Sequence, residues 1–174
     1  MNILITGDKG LAEALQTVLM SEGQTVTCVS RQSAHDIKNV KEWGPQYWHY
    51  DVCINCAYDS WHQIDVLEQF YYAWRDMPHK QIINIGSKIA DYARIEAEID
   101  YQYMEYRVHK QALELAFNRM VNTAACDIKL INPGAIDTDM ISHLSCKKMD
   151  PAWLAQQIVE LMKQPAVKRV DIWQ

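Results

Sequence analysis

Apolar positions in this chain recur with two periods, and segments of the two kinds alternate from one end to the other. Asn2–Ile5 is a short β-rich apolar run closed by Thr6-Gly7, and Leu11–Met20 carries apolar residues at helical spacing and ends before Gly23. Thr25–Ser30 alternates as a second strand. The segment 32–50 has helix-like spacing over Ile37–Trp43 that Gly44-Pro45 breaks, room for one crossover helix and little else. Asp51–Ala57 is apolar enough for a strand buried on both faces. Ile64–Trp74 is an amphipathic helix with an aromatic stripe, a pattern of core or subunit interface rather than of a ligand cage. Gln81–Gly86 is a fourth strand that hands directly to Ser87. An acidic, aromatic loop follows over 88–100, then one long helix from about Tyr101 to Asn122. Asp127–Ile131 is a fifth strand ending in Asn132-Pro133-Gly134, and Thr138–His143 reads as a helical turn. Pro151 opens a helix through Met162, and Val167–Trp173 is a sixth strand. Strands alternating with helices over the whole length predict a parallel, doubly wound, Rossmann-like α/β sheet in a single domain spanning 1–174.

Composition narrows the function classes. An apolar fraction of 49% and a charged fraction of 22% are those of an ordinary soluble domain. A net charge of −5 argues against general attraction to nucleic acid or anionic membrane. No apolar run reaches transmembrane length, and the chain enters its first strand without a signal peptide. The 5 cysteines are odd in number and scattered, so a reducing cytoplasm fits better than a disulfide framework. Cys53 and Cys56 form a CxxC inside a strand-like run with no second ligand pair. They read as buried small side chains, and no metal site is expected.

Six short segments carry chemistry. The turn Gly7-Asp8-Lys9-Gly10, with Leu11 opening the first helix, joins a strand to a helix as the front half of a dinucleotide-binding unit does. The second strand ends in Ser30-Arg31, with no acid where a free ribose 2′-hydroxyl would be selected. Together with Lys9, Arg31 favours NADP(H) over NAD(H); the alternative is that both are plain surface charges. Tyr106 and Lys110, four apart on the long helix, lie one above the other, and an ammonium held close favours the phenolate. Alone, such a pair reads as solvated decoration. Its neighbours at the carboxyl ends of the strands, where ligands of such sheets bind, are Gly7, Gly10, Ser30, Arg31, Asn55, Cys56, Ala57, Ser87 and Asn132-Pro133-Gly134.

Taken together these residues resemble the short-chain dehydrogenase/reductase family from Met1 to Trp173. Thr6–Ala12 is similar to the TGxxxGxG turn, one residue shorter and with Ala12 for the last Gly. Asn55-Cys56-Ala57-Tyr58 is similar to NNAG with two departures. Ser87 falls at the catalytic Ser, Tyr106 and Lys110 match YxxxK, and Ile131–Thr138 resembles the PG segment with its downstream Thr. The resemblance implies that Tyr106 donates a proton to a substrate carbonyl, that Lys110 lowers the Tyr106 pKa and holds the nicotinamide ribose, and that Ser87 binds the carbonyl oxygen. It implies that Pro133, Gly134, Ile136 and Thr138 meet the nicotinamide and phosphates, and that Asp36-Ile37 meets the adenine. It also implies a homodimer or homotetramer in which the Tyr106 helix and the aromatic helix before it pair across subunits. The exposed remainder of Phe70, Tyr71, Tyr72 and Trp74 would serve that contact.

The departures are specific. The short segment 32–50 implies that the usual third strand and a flanking helix are missing. The catalytic Asn expected before Ser87 has no counterpart in 63–77. The expected function is therefore NADP(H)-dependent transfer of a hydride between nicotinamide and a small carbonyl or alcohol. The alternative is a weak or inactive NADP(H)-binding sensor or scaffold of the same fold. The substrate pocket is expected from loops 88–100 and 139–150.

Overall fold

The computed structural model describes residues 1–91, 101–143 and 145–173. Its strands are β1 (Asn2–Thr6), β2 (Thr25–Val29), β3 (Val52–Asn55), β4 (Gln81–Ile85), β5 (Asp127–Pro133) and β6 (Arg169–Ile172). They form one parallel sheet in the order β2-β1-β3-β4-β5-β6. The helices are α1 (Leu11–Ser21), α2 (Val40–Trp43), α3 (His62–Trp74), α4 (Tyr101–Met120) and α5 (Pro151–Met162).

Side-chain alternation along each strand divides the core in two, because successive residues of a strand face opposite sides of the sheet. Ile3, Ile5, Val52, Ile54, Ile83, Ile85 and Ile131 pack against α1 and α5. Leu4, Cys53, Ile82, Ile128 and Leu130 pack against α2, α3 and α4 on the other side. Covering on both faces is what lets these strands be nearly all apolar. Among the described residues no helix is long and apolar enough to cross a membrane.

The doubly wound prediction holds, and so does the missing third strand: β2 is the edge, with no strand outside it among the described residues. The single crossover helix expected in 32–50 is instead a series of short turns. Arg31–Ser33, Ile37–Asn39 and Gly44–Tyr47 are 3-10 and only Val40–Trp43 is α-helical. The α-helical part ends at Trp43, where Gly44-Pro45 was expected to break it, and Pro45 stands at the start of the 3-10 turn that follows. The aromatic stripe of α3 is core: Phe70 and Trp74 are fully buried and Tyr71 nearly so, leaving Tyr72 as its exposed ring. The exposed remainder expected at a subunit contact is therefore Tyr72 alone among these four.

Strand order reverses between β1 and β3, and a crevice opens there at the carboxyl ends. The Thr6 hydroxyl closes its floor, accepting from the N–H groups of Cys56 (2.9 Å) and Ala57 (3.0 Å).

Candidate active site

The crevice begins at the turn after β1. Gly7 and Gly10 stand at φ 98° and 60°, where a side chain is strained. A Cβ on Gly10 would come within 3.0 Å of Thr138 Cγ2, so the turn and the segment after β5 meet there. Ala12, standing in the last Gly position, is buried, and its Cβ lies 3.4 Å from where a Gly7 Cβ would be. The cleft is lined by Gly7, Asp8, Ser30, Arg31, Asp36, Ile37 and Ala57, all expected, and by Val29, His35, Tyr58 and Asp59, which were not. Ser30 donates to Asp8 Oδ2 at 2.6 Å and caps the turn that follows by accepting from Gln32 N. A carboxylate and the Arg31 guanidinium thus share the end of the cleft at β2. Asp36 caps the next turn through Lys38 N, and the Trp43 indole donates to its carbonyl oxygen. His35 packs edge-on to Trp43 and Tyr47.

Not every expected residue reaches the cleft wall. Lys9 is exposed in the turn and Leu11 is core. Asn55 is fully buried, its Nδ2 donating to the Gln63 carbonyl (2.7 Å) and to Asn84 Oδ1 (3.0 Å). It ties β3 to β4 and α3. Pro133 closes β5, Gly134 N donates to Ile172 O, and Ile136 bridges Met149.

Beyond β4, α4 carries Tyr106 and Lys110 toward Ser87. Burial pushes the Tyr106 phenol up to about 12, against a hydrogen bond with Ser87 that pulls it down. The spacing predicts that Lys110 lowers this phenol; instead its ammonium stands 5.5 Å from the centroids of both the Tyr106 and Tyr58 rings, and burial wins. Lys110 is itself buried, which pulls it from 10.5 down to about 8. Its Nζ donates to Gln63 Oε1 (2.8 Å) and Ile85 O (2.9 Å). Tyr58, in the place of the motif's Gly, packs edge-on against Tyr106 at 4.7 Å, and its hydroxyl pairs with His109 Nδ1 at 2.9 Å.

Sequence reasoning missed Gln63, His35 and Tyr58. Gln63 opens the apolar stripe of α3 one turn before Val66 and Leu67; that position on the buried face was the available signal. The loop over 88–100 lies largely outside the described residues. Tyr103 on α4 reaches the segment 139–150, its hydroxyl pairing with His143 Nε2 at 2.7 Å. Among the described residues no group of three His, Cys, Asp or Glu could hold a metal ion.

No family profile and no curated protein matches the chain by sequence. Solved structures do match by shape. A short-chain dehydrogenase from Burkholderia cenocepacia in complex with NADP superimposes with a TM-score of 0.78 at 17% identity, covering 99% of this chain and 88% of its own. A short-chain dehydrogenase/reductase from Vibrio parahaemolyticus gives 0.75 at 14% identity, over 98% of each chain. The 3-alpha-hydroxysteroid dehydrogenase of Pseudomonas sp. B-0831, complexed with NADH, gives 0.72 at 17% identity, over 98% of this chain and 95% of that one. The fold of this chain is that of the short-chain dehydrogenase/reductases.

Proposed function

We propose that this chain is an NADP(H)-dependent oxidoreductase, one Rossmann-type unit over 1–174 that interconverts a small carbonyl and its alcohol. The observation that carries the reading is the convergence of Ser87, Tyr106 and Lys110 beside a crevice whose turn has two left-handed glycines. Such a turn lets backbone N–H groups approach a pyrophosphate, and Thr138 from the segment after β5 stands directly against Gly10. Arg31 at the β2 end of the cleft supports a 2′-phosphate. The solved structures of this shape include proteins complexed with NADP and with NADH.

The bound dinucleotide supplies the hydride. Tyr106 donates its phenolic proton to the carbonyl oxygen in reduction and takes it back in oxidation, and its value near 12 makes it the protonated partner at neutral pH. Ser87 donates to the same oxygen and stabilises the developing alkoxide. Lys110 keeps one N–H of its ammonium beyond the two that bind Gln63 and Ile85, enough for a ribose hydroxyl. Self-association belongs to the same proposal. Tyr72 on α3 and Val108 and Leu115 on α4 are exposed apolar residues on the two helices concerned.

NADPH oxidation over a broad carbonyl panel tests the reading, with wild type and Tyr106→Phe side by side. Wild type is expected to turn over at least one carbonyl, and the variant to lose about 10²–10⁴-fold. No activity anywhere, or equal activity in both, overturns the catalytic reading. A second reading, a dinucleotide-binding sensor without turnover, is favoured by one observation: Tyr58 lines the cleft and packs over both Tyr106 and Lys110. Tight NADPH binding with no turnover selects it.

A further inference from the structure

Gln63 joins three parts of the site through one side chain. It lies in the first turn of α3 with 2% of its surface exposed. Its Nε2 donates to the carbonyl of Asn55 at the end of β3 (2.9 Å) and to that of Ile85 at the end of β4 (2.8 Å). Its Oε1 accepts from Lys110 Nζ at 2.8 Å. Only one orientation of the amide works. Reversed, its NH₂ would face an ammonium and its oxygen would face two carbonyl oxygens, so all three hydrogen bonds would become repulsions. Lys110 spends a second N–H on the Ile85 carbonyl, which thereby accepts from both residues.

The remaining groups that face Lys110 are Cys56 and Tyr58, from the chain just after β3, and Tyr106 from its own helix. Among the described residues none of these is a carboxylate. A buried ammonium without a counter-ion needs its position fixed by neutral acceptors.

We propose that Gln63 is the positioning residue of Lys110: a neutral amide, locked in one orientation, that fixes the ammonium beside Tyr106 and leaves one of its N–H groups for a ligand hydroxyl. The inference rests on the reading of Lys110 as part of a dinucleotide site. Burial supports it, since Lys110 is brought down to about 8, into a range that an ion pair would take it out of.

Lysine ¹³C NMR of the full chain tests it, with the Lys110 signal assigned by its loss in Lys110→Met. In wild type the signal is expected to titrate near 8. Gln63→Glu places a carboxylate against the ammonium and is expected to raise the midpoint by about one unit or more, a tenfold or larger change in proton affinity. Gln63→Met keeps the length, removes an acceptor of the charged form, and is expected to lower the midpoint. Midpoints of folded variants that stay within about 0.2 unit of wild type overturn the proposal. Wild type alone decides if neither variant folds: both Gln63 amide protons are bound, so they should exchange slowly, and fast exchange overturns the lock. NADPH titration of the same sample keeps the two readings apart. Failure to bind removes the dinucleotide site and leaves the Lys110 titration to judge Gln63.

Discussion

Each end of the sheet buries a lysine. At the amino ends, Lys129 of β5 turns its ammonium to the carbonyls of Gln164 (2.6 Å) and Val167 (2.8 Å), just past α5, and to the carboxylate of Asp127 at 3.0 Å. Burial opposes ionisation of Asp127, yet hydrogen bonds from Lys168, Gln81 and Lys129 hold it below its ordinary value. At the carboxyl ends, Lys110 is as deeply buried but faces an amide, a carbonyl, a thiol and two phenols. The first arrangement closes its charges on themselves and ties the α5–β6 connection to the sheet. The second leaves a buried cation beside a crevice with neutral partners only, the kind of placement that marks a candidate site.

The largest effect that would sharpen this contrast comes from Lys129→Met. It strips two carbonyls and a carboxylate of a shared partner, and should cost about 3 kcal/mol in urea unfolding. Dinucleotide binding by the folded fraction should be unchanged. A loss below about 0.5 kcal/mol would break the assignment of Lys129 to structure.

A smaller effect belongs to Lys110 and is read from pH. Its folded value is near 8 and its unfolded value near 10.5, so above pH 8 the unfolded chain holds a proton that the folded chain has shed. Stability contributed by this group therefore rises with pH, by about 1 kcal/mol between pH 8 and 9. Other groups oppose it: the thiols of Cys28, Cys56 and Cys126, at about 11, 12 and 11, keep protons that the unfolded chain loses around pH 9, and the Tyr106 phenol, at about 12, does the same around pH 10. Subtracting the profile of Lys110→Met isolates the lysine, and a flat difference between pH 8 and 9 contradicts the burial argument.

The fold was legible because both periods are strong. The apolar runs of β1, β3 and β4 need two covered faces, and the glycines after β1 announce a turn that side chains resist. Ser87 was legible as a hydroxyl just past β4, and Tyr106 and Lys110 as a pair four apart on α4. Gln63 was not, since an amide near a helix start reads as a solvated polar position; its burial comes from carbonyls of β3 and β4, distant in sequence. Lys129 was hidden in the same way, within a run whose polar member reads as outward-facing. The stripe of Phe70 and Trp74 was legible as apolar, but only packing decides whether such a stripe faces the core or a partner.

Sedimentation velocity of the protein with NADPH, followed by the absorbance of the reduced nicotinamide, tests the dinucleotide site most directly. NADPH is expected to travel with a species of at least two chains of 20.2 kDa, and to do so at lower concentration than NADH. NADPH left behind by the protein contradicts the site itself. A single-chain species alone contradicts self-association, and NADH bound as tightly as NADPH contradicts the role given to Arg31.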